Sequence, residues 1–146
     1  MSGIRFGSEP VDIVIETADI PWVRSHRELV VWHRASDNAS VVYRLTAGFP
    51  RSETFGLVAQ MRRSAISVVS NIAEGAARSS EREFYRFLDI AMGSAGELQA
   101  QLDIAGRFEF GDPGLRAAAT AQVDEVKRML ASLMQVVRRR AAKRST

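Results

Sequence analysis

The 146-residue sequence contains no cysteine. That excludes disulfides and thiolate metal sites and suits the chain to a reducing, cytoplasmic setting. No apolar run approaches the roughly 20 residues needed to span a bilayer, so no membrane partner is expected. No basic segment followed by an apolar run and a small-residue cleavage site opens the chain, so no signal peptide is expected. Histidine is scarce: His26 and His33 are the only two, seven residues apart. Two imidazoles two helical turns apart cannot share one metal ion, and no Glu-x-x-His repeat accompanies them. They read as ordinary surface or boundary histidines, and no metal or cofactor is expected. Neither a Gly-x-Gly-x-x-Gly, a phosphate loop nor a Gly-x-Ser-x-Gly occurs. The chain therefore reads as a non-enzyme. Gly93-Ser94-Ala95-Gly96 lies mid-helix, where small residues let another helix approach.

What is present is charge, unevenly placed. The net charge is +3. Residues 138–146 hold Arg138, Arg139, Arg140, Lys143 and Arg144 with no acid, a local +5. Residues 1–24 carry −2, and residues 25–137 balance at zero. The basic character is thus a C-terminal property, which weakens any reading of the whole molecule as a nucleic-acid binder.

Helical periodicity dominates the rest. Ser25 with Glu28 makes a capping box that starts a helix running to about Ala47, with Leu29, Trp32, Ala35, Ala39, Val42 and Leu45 inward. Gly48-Phe49-Pro50 ends it. A second helix runs from about Ser52 or Glu53 to Glu74, with Leu57, Met61, Ala65, Val68 and Ile72 inward. Gly75 is expected to stop it as a left-handed residue. Ser80 with Glu83 caps a third helix to about Arg107. Its stripe is Phe84, Phe87, Leu88, Ala91, Ala95, Leu98 and Leu102, and Ile90, Met92 and Ile104 lie off it. Asp112-Pro113 opens a fourth helix with Leu115, Ala119, Val123, Val126, Leu130, Leu133 and Val137 on its stripe, and the pattern fades after Val137 into the basic tail. The expected fold is all-α: an antiparallel, up-down-up-down four-helix bundle over residues 25–140. Residues 1–24 form an N-terminal leader or arm, and 141–146 end the tail. Within the leader, Val11–Ile15 is strand-like, and Trp22 offers an anchor.

Asn71-Ile72-Ala73-Glu74-Gly75, followed by Arg78, resembles a signature of the bacterial four-helix-bundle family of 23S ribosomal RNA intervening-sequence proteins. Similar segments flank it. Upstream are Leu29 to Ala35, Phe49-Pro50, Phe55-Gly56-Leu57, Gln60 and Arg62-Arg63. Downstream are Glu83-Phe84, Phe87-Leu88, Gly93-Ser94, Glu97-Leu98 and Gln101-Leu102. The resemblance covers roughly residues 25 to 110 and implies a homo-oligomer, a pentameric ring. It also implies a nucleic-acid partner. Related bundles serve as accessory proteins to reverse transcriptases, and the alternative is a protein–protein scaffold or adaptor for a protein partner, with the ring as platform and residues 1–24 as the docking arm.

Two arginine groups carry the nucleic-acid reading. Arg62, Arg63, Arg78, Arg82 and Arg86 flank the corner between the second and third helices, and Arg138, Arg139, Arg140, Lys143 and Arg144 form the tail. Guanidinium groups suit phosphate because they donate in pairs. Glu74, Glu81 and Glu83 lie among the corner arginines, so ion pairing there is the competing use. Arg63, Asn71, Glu74, Arg78 and Glu97 are candidates for a buried polar network fixing helix register. In a five-membered ring the tails would gather about 25 positive charges, and phosphate affinity rises steeply with contact number.

Overall fold

The computed structural model describes Val23 and residues 25–145. The expectations for Val11–Ile15 and Trp22 fall outside those residues. Four helices follow one another: α1 Val30–Thr46, α2 Ala59–Ala76, α3 Glu81–Arg107 and α4 Pro113–Ser145. Each packs on its two neighbours in a closed cycle, α4 returning to α1. Side-chain pairs fix the directions. Ser64 meets Glu97 while Ser67 meets Ser94, and Arg34 meets Glu125 while Asn38 meets Ala119. In both couples the numbers rise on one helix as they fall on the other, so the bundle is antiparallel, up-down-up-down.

The core is the one the periodicity implies. Val42, Met61, Ile72, Leu88, Leu98, Leu130 and Val137 are fully enclosed. Each such side chain stabilises the fold by roughly 1.5–3 kcal/mol relative to exposure. Trp32, Leu57, Phe87 and Leu115 are only half-buried. Two of the expected caps form as read. Ser80 Oγ accepts from the Glu83 N–H at 3.1 Å, and Asp112 Oδ2 accepts from the Leu115 N–H at 2.8 Å.

Four local expectations are corrected. First, Ser25 caps only a short 3-10 turn, His26–Glu28, and Leu29 is extended before α1 begins. Leu29, Val30 and Val31 are all buried, and three consecutive side chains cannot share one helical face, so the chain breaks there. Second, α2 is preceded by a 3-10 turn and a wide π turn, Thr54–Val58, with a non-helical Gly56 inside. The Glu53 carboxylate accepts from the Leu57 N–H there. Third, Gly75 is not a left-handed stop. It lies inside α2, buried, where a Cβ would sit 2.9 Å from Phe87 Cβ and 3.3 Å from the Phe84 carbonyl oxygen. Its role is to let α3 approach. The left-handed glycine is Gly111, φ 77°, in the α3–α4 loop, wedged against Leu45 and Phe49. Fourth, the basic segment does not leave the bundle: α4 stays helical to Ser145.

Candidate nucleic-acid interface

The antiparallel topology puts the end of α2, the start of α3 and the end of α4 together. Sixty-three residues of sequence separate Glu81 from Arg144, yet Arg144 Nε lies 2.6 Å from Glu81 Oε2. One α3 turn on, the Arg138 guanidinium lies 5.8 Å from the centre of the Tyr85 ring. Arg78, Arg82 and Arg86 of the first arginine group therefore meet the tail arginines at one end of the bundle.

At the α2–α3 corner, Phe87 is covered by two guanidiniums. Arg78 lies 5.0 Å and Arg86 4.7 Å from its ring centre. Each is also held by a carboxylate one helical turn away. Arg78 pairs with Glu74, and Arg86 Nε lies 3.6 Å from Glu83 Oε1. These pairs are largely in solvent, so each contributes only about 0.2–1 kcal/mol. The stacking on Phe87 adds about 0.5–1 kcal/mol per guanidinium at such exposure. The arginines are thus held in fixed planes by weak partners, and exchanging a carboxylate for a phosphate costs little. Arg82 and Arg139 are exposed at the same end. Arg140 and Lys143 belong to the same last turns of α4.

Two predicted site residues lie elsewhere. Arg62 Nε donates to Thr46 Oγ1 at 2.8 Å, and its Nη2 donates to the Tyr43 carbonyl at 3.1 Å. It closes the C-terminal end of α1 while stacking on Tyr43, 4.4 Å from the ring centre. Arg62 is sixteen residues upstream of Arg78, about 24 Å along the helix axis at ~1.5 Å per residue. Arg63 is exposed on the next position. Neither belongs to the corner.

The proposed polar network also separates. Asn71 Nδ2 donates to the Ser67 carbonyl at 2.8 Å, Ser67 and Ser94 share a 2.8 Å hydroxyl bond, and Ser64 Oγ donates to Glu97 at 3.3 Å. Glu74 pairs with Arg78 in solvent rather than in the interior. Of these, the Ser67–Ser94 and Ser64–Glu97 bonds bridge α2 and α3, and Arg63 joins none of them. They set register, as expected of a polar seam, but as separate contacts. The buried polar link is elsewhere: Asn38 Nδ2 donates to the Ala119 carbonyl at 3.1 Å and to Gln122 Oε1 at 3.2 Å.

Sequence reasoning missed the aromatic rings under the guanidiniums. Arg86 next to Phe87 was a visible hint, whereas Tyr85 and Arg138 are joined only by the fold. The two histidines pack about Trp32, with ring centres 4.6 Å and 5.1 Å away. His26 is held below the ordinary imidazole value by burial, then by the charges of Arg27 and His33. Among the described residues no group of three or more histidines and carboxylates could hold a metal ion, and no helix is long and apolar enough to cross a membrane.

Fold and site together define a class: a four-helix bundle with one cationic, aromatic-backed end. The sequence places it more closely. The family model described as 23S rRNA-intervening sequence protein matches residues 27–132, and the chain belongs to that family. Among solved structures it is similar to a protein of unknown function from the S23 ribosomal protein family of Bacteroides thetaiotaomicron. The identity is 24%, the match covers 70% of this chain and 96% of that one, and the TM-score is 0.63. At that identity the likeness shows the fold alone. No curated protein matches the chain.

Proposed function

We propose that this protein is a non-enzymatic, oligomeric bundle that binds RNA or another nucleic acid by its phosphates. The contact surface is the end of the bundle bearing Arg78, Arg82, Arg86, Arg138, Arg139, Arg140, Lys143 and Arg144. The observation that carries this reading is the meeting of two arginine groups far apart in sequence, tied by Arg144 to Glu81. Among the described residues Glu74, Glu83 and Glu81 pair with Arg78, Arg86 and Arg144, while Arg82 and Arg139 stand exposed at the same end and can meet phosphate. The family's name supports RNA as the partner.

Surface features that suit self-association support the reading further. Ile66, Ile90 and Ile104 are exposed, and a Cβ added at Gly93 or Gly96 meets nothing within 4 Å. The close approach expected of those glycines is therefore not made within one chain, and we assign it to a neighbouring copy in a ring, a pentamer by family resemblance. A ring would multiply the cationic end. For the adaptor alternative, the opposite end of the bundle offers a surface besides the ring and the N-terminal arm. There Phe55 is 95% exposed and Phe108 63% exposed, an unusual display for large aromatics in water.

Binding of a short RNA, followed by fluorescence anisotropy across a salt series, tests the main reading. Affinity is expected to fall linearly in log–log form as salt rises. Removal of residues 138–146 is expected to abolish most of it while the oligomer survives. Undetectable binding at low salt, or binding indifferent to salt, overturns the reading.

A further inference from the structure

Beside the cationic end, α3 and α4 leave an open pocket of about 210 Å³ lined by Tyr85, Met92, Ala131, Met134, Gln135 and Arg138. Its lining is mostly apolar, and its two long polar side chains, Gln135 and Arg138, are exposed to solvent. Sites for drug-sized ligands run to about 300–1,000 Å³, so this one suits a single small ring system. An aromatic ring and two thioether side chains make a soft, polarisable floor on which a flat ring packs well. Arg138, exposed and 5.8 Å from the centre of the Tyr85 ring, brings a cation to the same lining. An apolar slot with an exposed cation in its lining complements a nucleotide: base inside, phosphate outside.

We infer that the pocket seats one unpaired base of a single-stranded nucleic acid whose phosphates lie along the cationic end. The inference rests on the proposed nucleic-acid function and narrows its substrate class. A duplex keeps its bases stacked internally, so it can use the cations but not the pocket. Stacking of this kind tolerates any base, since every base has a flat π face. The Gln135 amide offers one donor group and one acceptor to the base edge, which gives a modest preference at most.

The test compares a single-stranded RNA 12-mer, its blunt duplex and the deoxyribo strand of the same sequence. Wild-type protein is set beside Ala131→Phe, which fills the slot from an exposed position and leaves every charge in place. The variant is expected to bind both single strands roughly 5- to 100-fold more weakly, the usual range for loss of one base–aromatic stack. Its duplex binding and its salt slope stay at wild-type values. Tyr85→Leu, checked for helicity by circular dichroism, is expected to reproduce the loss. If Ala131→Phe binds single strands like wild type, or if wild type prefers the duplex, the pocket assignment is overturned while the phosphate-binding reading stands. If wild type binds none of the three at low salt, both fail together.

Discussion

Adding one methyl group at Gly75 probes how closely α2 and α3 approach. The new Cβ would lie 2.9 Å from Phe87 Cβ, 3.0 Å from Phe84 Cδ1 and 3.3 Å from the Phe84 carbonyl oxygen. Two of those atoms cannot swing aside, because one is a Cβ and the other is backbone. The helices must separate by a few tenths of an ångström, against a core in which Phe84 and Leu88 are buried. Overpacking of this kind costs about 1–3 kcal/mol. Alanine returns at most about 1 kcal/mol through its better helix propensity. Gly93→Ala, compared with both proteins held as monomers, is the matched control, since it gains the same propensity and its methyl meets nothing within 4 Å in the chain. The two variants are therefore expected to differ by about 1–3 kcal/mol, with Gly75→Ala the less stable. At this chain length that is a melting-temperature difference of roughly 2–12 °C. Circular dichroism melts at one fixed protein concentration measure it, because any self-association would make melting concentration-dependent. Equal shifts of the same sign would refute the close approach at Gly75. A drop for Gly93→Ala accompanied by loss of assembly would place Gly93 in a subunit contact.

Other perturbations test single contacts. Asn38→Ala removes the buried α1–α4 link to Ala119 and Gln122 and is expected to cost about 1–3 kcal/mol in urea denaturation. Ser80→Ala removes the cap on the Glu83 N–H and is expected to cost about 1 kcal/mol by the same measure. Leu98→Ala opens a cavity at a fully enclosed position and is expected to cost about 2–5 kcal/mol. His26 is expected to titrate below 6.5 in a proton-NMR series, since burial, Arg27 and His33 disfavour its charged form. The unfolded chain then binds that proton more readily than the folded one. Its contribution to stability is complete above pH 6.5 and declines as pH falls through the folded value.

The bundle was legible because burial repeats with the helical period. Met61, Val68, Ile72, Leu88, Leu98 and Leu130 each sit where an inward stripe requires a large apolar side chain. Ser80 and Asp112 were legible because a cap is a local event, decided within three or four residues. Gly75 was misread for the converse reason. A glycine after an apolar run is the usual helix stop, and only the position of α3 shows that it is needed for clearance. Arg62 was grouped with the corner because adjacency in sequence does not show which end of a helix a side chain serves. The contacts of Arg138 with Tyr85 and of Arg144 with Glu81 join residues more than fifty positions apart, and no local pattern encodes them. The aromatic backing of the cationic end had to be seen in three dimensions.

The most direct measurement removes charge from one end of the bundle at a time and follows single-stranded RNA affinity across salt. Arg82→Gln with Arg139→Gln takes two exposed cations from the proposed contact end, and Arg51→Gln with Arg107→Gln takes two from the opposite end. The first pair is expected to weaken binding and flatten the log–log salt slope by about 1.4, or about 0.7 per lost contact. The second pair is expected to leave the slope at its wild-type value. Equal flattening from both ends would show that phosphate meets the molecule without regard to where its arginines are gathered, and would contradict the account.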